Sequence, residues 1–177
     1  MAKSYLHNSA LPRGLRNNNP GNIIISANSW LGKVPVAENT DGHFEQFHEL
    51  YYGLRALAKL LCNKVDKGAN TIRKVLTSYA PQFENDTAGY IQYVSAHSGT
   101  GPDEPIKLNT ATLAALMQAI CEVENGKQFA DDFLSPDDYT ESISLLPEAI
   151  IQQIGYEAKK NAPLIGFFLF CWQFCWL

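Results

Sequence analysis

Three consecutive asparagines followed by Pro-Gly-Asn, at residues 17–22, constrain the fold of this chain more than any other feature. No helix propagates through such a run. Asn side chains compete with the backbone for hydrogen bonds, Pro20 has no N–H to donate, and Gly21 readily supplies a positive φ. The block Arg13-Gly14-Leu15-Arg16-Asn17-Asn18-Asn19-Pro20-Gly21-Asn22-Ile23 therefore reads as a stiff turn rimmed with amides and guanidiniums. Two readings of it stand side by side. One is a ligand-facing turn suited to a hydroxyl- and amide-rich molecule such as an amino sugar; the other is a structural turn whose Asn residues bond their own backbone.

The chain on either side sorts by periodicity. Residues 1–12 read as a polar leader with frayed ends. The β-branched Ile23-Ile24-Ile25, the scattered Val34, Val36, Phe44 and Phe47, and the Asp41-Gly42 turn signal predict a small β-hairpin or three-stranded flap over 22–48. Helical spacing then takes over. Apolar residues from Leu50 to Val65 predict a helix over 49–66, and Ile72 to Tyr79 a second, stopped by Pro81. Asp86 or Thr87 caps a third that ends at Gly99, and Asn109 or Thr110 opens a fourth that closes at Asn125-Gly126. Residues 127–146 are loosely patterned, and Pro147 starts a last helix. The fold class expected is mainly α with a small β-flap, in one domain over residues 13–162.

Composition excludes several classes. With 46% hydrophobic and 18% charged residues, the 177-residue chain is globular rather than disordered. A formal charge of −4 argues against nucleic acid as the main partner. The N-terminus lacks the apolar core of a signal peptide, so synthesis in the cytoplasm is expected. Cys62 and Cys121 fall on apolar helical positions and read as small buried hydrophobes. Neither the four Cys nor the four His have metal-ligand spacing, and no cofactor motif is present. Residues 163–177 form an apolar tail too short for an ordinary spanning helix of about 20 residues. Burial on the body, contact with a membrane, and an accreted end all remain open for it.

The Asn-rich block, then Trp30-Leu31-Gly32, Asp41-Gly42-His43-Phe44-Glu45-Gln46-Phe47, Tyr52-Gly53-Leu54-Arg55-Ala56-Leu57, Tyr79-Ala80-Pro81 and Glu124-Asn125-Gly126, resemble in order a family of phage and prophage peptidoglycan hydrolases. The resemblance covers residues 12–130. It implies a lysozyme-like fold and cleavage of the glycan strand, by a muramidase or a lytic transglycosylase. It also implies peptidoglycan as partner, and a protein that is virion-associated or delivered to the periplasm by a phage tail, baseplate or secretion machine. In lysozymes the helix-ending catalytic Glu precedes the flap; here it follows, so a circularly permuted layout is expected. A non-catalytic virion or baseplate protein that binds the wall is the alternative.

Glycosidic cleavage needs a proton donor for the leaving oxygen and a means of handling the cationic carbon. Glu124 continues the stripe Leu113, Leu116, Met117, Ile120, Cys121, so it emerges on an apolar face in a helix's last turn. Desolvation and the negative end of the helix dipole both keep a carboxyl protonated there. The bland alternative is a helix-end Glu paired with a buried Arg. Glu122 falls on another face, as a solvated charge. Asp41 is the candidate second acid, set against a role as the turn residue, with Glu38 and Glu45 behind it. Glu45, alternating with Phe44, should face water. Asn18, Asn19 and Asn22 are candidate binders of N-acetyl or hydroxyl groups, Trp30 a stacking platform, and Tyr79 and Tyr90 groove-lining hydroxyls; turn formation and core packing are their alternatives. Arg55 either orients a carboxylate or makes a surface ion pair.

Overall fold

The computed structural model describes residues 3–79 and 86–155; the apolar tail at 163–177 lies outside them. Among the described residues eight α-helices follow in order: α1 (Arg13–Arg16), α2 (Leu50–Asp66), α3 (Ile72–Thr77), α4 (Thr87–Ser98), α5 (Thr110–Asn125), α6 (Lys127–Phe133), α7 (Pro136–Ser144) and α8 (Glu148–Gln153). The protein is mainly helical. Side-chain caps start the helices where short polar residues precede apolar runs. Thr71 accepts from the Lys74 N–H, Asp86 from Gly89 and Asn109 from Thr112. Gly99 and Gly126, at positive φ, end α4 and α5.

α5 is the axis of the body. It packs against α1, α2, α4, α6 and α7, and Leu113, Met117, Ala119, Ile120 and Cys121 are fully buried along it. Leu50, Leu54, Leu57 and Leu61 bring the apolar stripe of α2 to the same core, which also takes Cys62. α6 and α7 fill the stretch 127–146 that periodicity left unassigned. α7 opens with a capping box between Ser135 and Asp138 and with Pro136 in its first turn. The signal for α7 was this local capping chemistry, whereas α6 has no side-chain cap and is too short for a stripe to show.

The flap differs from a hairpin. Residues 22–48 hold two isolated antiparallel bridges, Ile24–Phe44 and Lys33–Phe47, and no sheet is present among the described residues. Side chains have taken the place of a ladder. The Asn19 amide bonds both backbone groups of Ile23 and the carbonyl of Glu45. Asn39 Oδ1 accepts from Asp41 and Gly42, and Gln46 Oε1 from Thr40. Each such bond satisfies a backbone group that a strand would have paired.

The leader is not frayed from residue 3 onward. The Lys3 carbonyl accepts from the Leu50 N–H, Lys3 Nζ lies 2.6 Å from Asp138, and the Tyr5 hydroxyl donates to the Phe133 carbonyl. Leu11 is buried. The polar strap thus ties the Asn-rich turn to α2, α6 and α7.

Within the turn, Asn18 and Asn22 adopt the left-handed conformation (φ 51° and 49°), whereas Gly21 does not. Asn tolerates that region through its short polar side chain. Gly21 is needed instead for close approach: a Cβ there would stand 2.9 Å from the Tyr79 hydroxyl and 3.0 Å from Leu57.

Candidate active site

The C-terminal end of α5 is stitched to the Asn-rich turn. Asn125 Nδ2 donates to the Pro20 carbonyl at 2.7 Å and to the Cys121 carbonyl at 2.9 Å. A Cβ on Gly14 would land on Asn125 Oδ1, so only glycine lets α1 lie this close. Glu124, one residue earlier, is half-buried and points at the same turn. Asn22 Nδ2 donates to Glu124 Oε2 at 2.9 Å, and the Tyr90 hydroxyl, from α4, donates to Oε1 at 2.9 Å. No arginine pairs with it among the described residues. Tyr79 sits behind, its hydroxyl bonded to the Gly21 carbonyl.

Burial dominates the electrostatics of this carboxyl and raises its pKa above the ordinary Glu value; the Asn22 and Tyr90 hydrogen bonds pull the other way. In return, burial and the Glu124 charge push the Tyr79 and Tyr90 hydroxyls well above the usual tyrosine range, so both stay protonated donors.

Two cavities are lined by the two partners of the Asn22–Glu124 bond, one by Glu124 and the other by Asn22. One, of about 410 Å³, is lined by Asp86, Gly89, Tyr90, Tyr93, Val123 and Glu124. The other, of about 200 Å³, has Asn22, Ser26, Asn28, Trp30, Lys64 and Tyr79 on its wall. Asn22 Oδ1 and Trp30 Nε1 are buried without a hydrogen-bond partner among the described residues, and Asn22 Oδ1 lies against Gly14 of α1 rather than in the cavity.

Glu124, Asn22, Trp30, Tyr79 and Tyr90 therefore come together, and other expected residues do not. Asn18 and Asn19 are fully buried. The Asn18 amide serves Tyr5 N, Ser4 Oγ and the Phe47 carbonyl, the Asn19 amide serves Ile23 and Glu45, and burial keeps both from a ligand. Asp41 lines a third cavity, away from Glu124. It is the turn residue: it accepts from Phe44 N and Asn17 Nδ2 and is clamped side-on by Arg13, at 2.7 Å on each oxygen. Though partial burial opposes ionisation, the Arg13 and backbone bonds hold the Asp41 carboxyl well below the usual carboxylate range. A group ionised so firmly does not act as a proton-shuttling acid.

Other carboxylates also depart from expectation. Glu45 is fully buried, bonded to Lys33 Nζ at 2.8 Å and to Ser26 N, because without a regular strand Glu45, Gln46 and Phe47 are all enclosed in succession. Glu122 is only 2% exposed rather than solvated. Packing of α4 on α5 covers it, with Tyr93 Oη at 2.6 Å and Gln118 Nε2 at 2.8 Å, and Lys127 closes the side. Arg55 makes neither expected contact; it donates to the Leu145 carbonyl at the end of α7. Glu38 is exposed on a short 3-10 turn. Sequence reading missed Asp86 as a wall residue because its capping role accounted for it. Among the described residues no cluster of three or more His, Cys, Asp or Glu is placed to hold a metal ion.

Asp41 gives a stability prediction with a definite sign. Its folded pKa is depressed, so the stabilisation is present above the unfolded value of about 4 and is lost as pH falls below it. Asp41→Ala should lower unfolding free energy by about 2 kcal/mol at pH 7, with the gap to wild type closing in urea titrations as pH falls through 4 toward the folded value.

A mainly helical body with a half-buried carboxyl at a helix end, hydrogen-bonded to an amide turn and lining a cavity, is what the fold and site define. No family model matches the chain. It is 36% identical over 118 residues to Protein P5 of Pseudoalteromonas phage PM2, an overlap of 64% of this chain and 71% of that protein. The chain belongs to the family of that phage protein.

Proposed function

We propose that this phage-family protein is a virion-associated, lysozyme-like enzyme that cleaves the glycan strand of bacterial peptidoglycan, with Glu124 as its general acid. The observation that carries the reading is the Glu124 carboxyl itself. Burial raises its pKa above the ordinary Glu value, toward the protonated form a general acid needs, and two donors stand ready to stabilise the carboxylate that proton transfer leaves behind. The structural alternative, a helix-end Glu paired with a buried Arg, lacks its arginine among the described residues.

The reaction runs in the manner of a lytic transglycosylase. Glu124 gives its proton to the glycosidic oxygen as the bond from that oxygen to C1 breaks. The carboxylate then takes the proton of the C6 hydroxyl on the same sugar as its oxygen bonds C1, which closes an anhydro ring without water. Asp41 is held in another cavity, and Asp86 spends one oxygen on the α4 cap, so a scheme that needs one carboxylate fits the site. Asn22 and Trp30 line the second cavity, where the Trp30 ring offers an apolar face on which a sugar would stack.

Mass analysis of fragments released from purified sacculi tests this. Anhydro ends support the scheme, reducing ends would assign water as nucleophile and Asp86 as its base, and no release would reject the enzyme. Tyr90→Phe gives a second reading of the same site. It removes a bond that lowers the Glu124 pKa, so the alkaline limb of the pH–rate profile should move to higher pH while kcat falls about tenfold.

A further inference from the structure

On the other side of the Asn-rich turn, α1 presents a cationic cavity of about 420 Å³ that the cleavage chemistry does not use. Arg13 and Arg16, three residues apart on one helical face, line it with His7 and Ser9. The two arginines are not equivalent. Arg13 grips Asp41 side-on with both Nε and Nη2 at 2.7 Å, and so shows in place how this wall holds a carboxylate. Arg16 is half-buried in the same wall, and its guanidinium has no hydrogen-bond or ion-pair partner among the described residues. The Ser9 hydroxyl and His7 ring beside it are likewise unpaired among those residues. His7 is held at φ 66°, a conformation uncommon for a non-glycine residue, by a 2.9 Å bond from its N–H to the Arg16 carbonyl.

We propose that this cavity is a carboxylate-binding subsite, in which Arg16 takes a free carboxylate of a peptide side-on and Ser9 donates to it. The peptide is the stem of the wall polymer, and that identification rests on the function proposed above. Charge counting selects a monoanion. Arg13 and Asp41 neutralise each other, which leaves the positive charge of Arg16. One carboxylate balances it with matched fork geometry, whereas a phosphate dianion would leave excess negative charge beside Asp41. A chain of net charge −4 thereby gains a local foothold on an anionic polymer.

The test is calorimetric titration of the full chain with the stem tetrapeptide L-Ala-γ-D-Glu-L-Lys-D-Ala, its fully amidated form, and inorganic phosphate at matched ionic strength. The acid should bind at least about tenfold more tightly than the amide or phosphate. Arg16→Gln should lose about tenfold for the acid alone, and Arg16→Lys should recover part of it. Amide NMR shifts on the wild type should fall on residues 7–9 and 13–17, which keeps the test valid if Arg16→Gln fails to fold. Equal binding of acid and amide, tighter binding of phosphate, an unaffected folded Arg16→Gln, or shifts elsewhere would each overturn the proposal. Peptide binding requires no cleavage. Fragment release without peptide binding overturns this inference alone; peptide binding without release overturns the enzyme assignment alone.

Discussion

Glu124→Gln should reduce fragment release from sacculi by about 10²- to 10⁴-fold, the usual contribution of a general acid, and should at the same time make the protein more stable at neutral and alkaline pH. Both effects come from one cause. The carboxyl is desolvated, so its folded pKa lies above the unfolded one. Between those two values the unfolded chain holds fewer protons than the folded one, and stability falls as pH rises. The penalty is absent below about pH 4, where both states are protonated, and complete above the folded pKa. A glutamine carries no charge to desolvate. Its amide can keep the Tyr90 bond, and Asn22 can turn its own amide over so that Oδ1, now unpartnered, accepts from the new NH₂. Melting temperatures across pH should therefore diverge in favour of the variant as pH rises. A variant that is less stable than wild type at pH 8 would place Glu124 in a structural network instead.

Gly53→Ala should lower stability by about 3 kcal/mol or more, far beyond the ordinary effect of one methyl group on a helix. Gly53 lies in the first half of α2, where Ala is by propensity the better residue. The tertiary contact reverses that preference. A Cβ at this position would land on the carbonyl oxygen of Asn18, 2.8 Å from its carbon and 3.2 Å from the Asn19 Cα. All three are backbone atoms of the turn, and the turn is pinned by buried bonds from Asn18 and Asn19, so it has no cheap way to yield. Because the same turn carries Asn22 to Glu124, activity should be lost with stability. Urea unfolding and sacculus assays on Gly53→Ala read the two together; an unchanged midpoint would show that the turn moves freely on α2.

Much of the helical frame was legible in local chemistry. Apolar residues at three- and four-residue spacing give α2 and α3, and short polar caps followed by such runs give α4 and α5, because a helix needs only its own stripe and its own ends to be recognised. Glu124 could be picked out for the same reason, as the continuation of an apolar stripe into a helix end. The nature of the turn at 17–22, which no helix or strand can cross, was likewise set by Asn, Pro and Gly in order.

Only the folded chain decided which side of that turn faces what. Asn18 and Asn19 carry the same side chain as Asn22, yet two are sealed inside by α2 and the leader while the third reaches the carboxyl on α5. Glu45 and Glu122 were expected in water and are buried, since an irregular flap and the packing of α4 on α5 enclose groups that periodicity alone points outward. Asp41 went to Arg13 rather than to Glu124 for a similar reason: an ion pair depends on where two remote segments meet, and residue order along the chain does not encode that separation. Local propensity and patterning belong to the sequence; burial, partner choice and the pKa shifts that follow belong to the tertiary structure, because each is a property of pairs brought together across the chain.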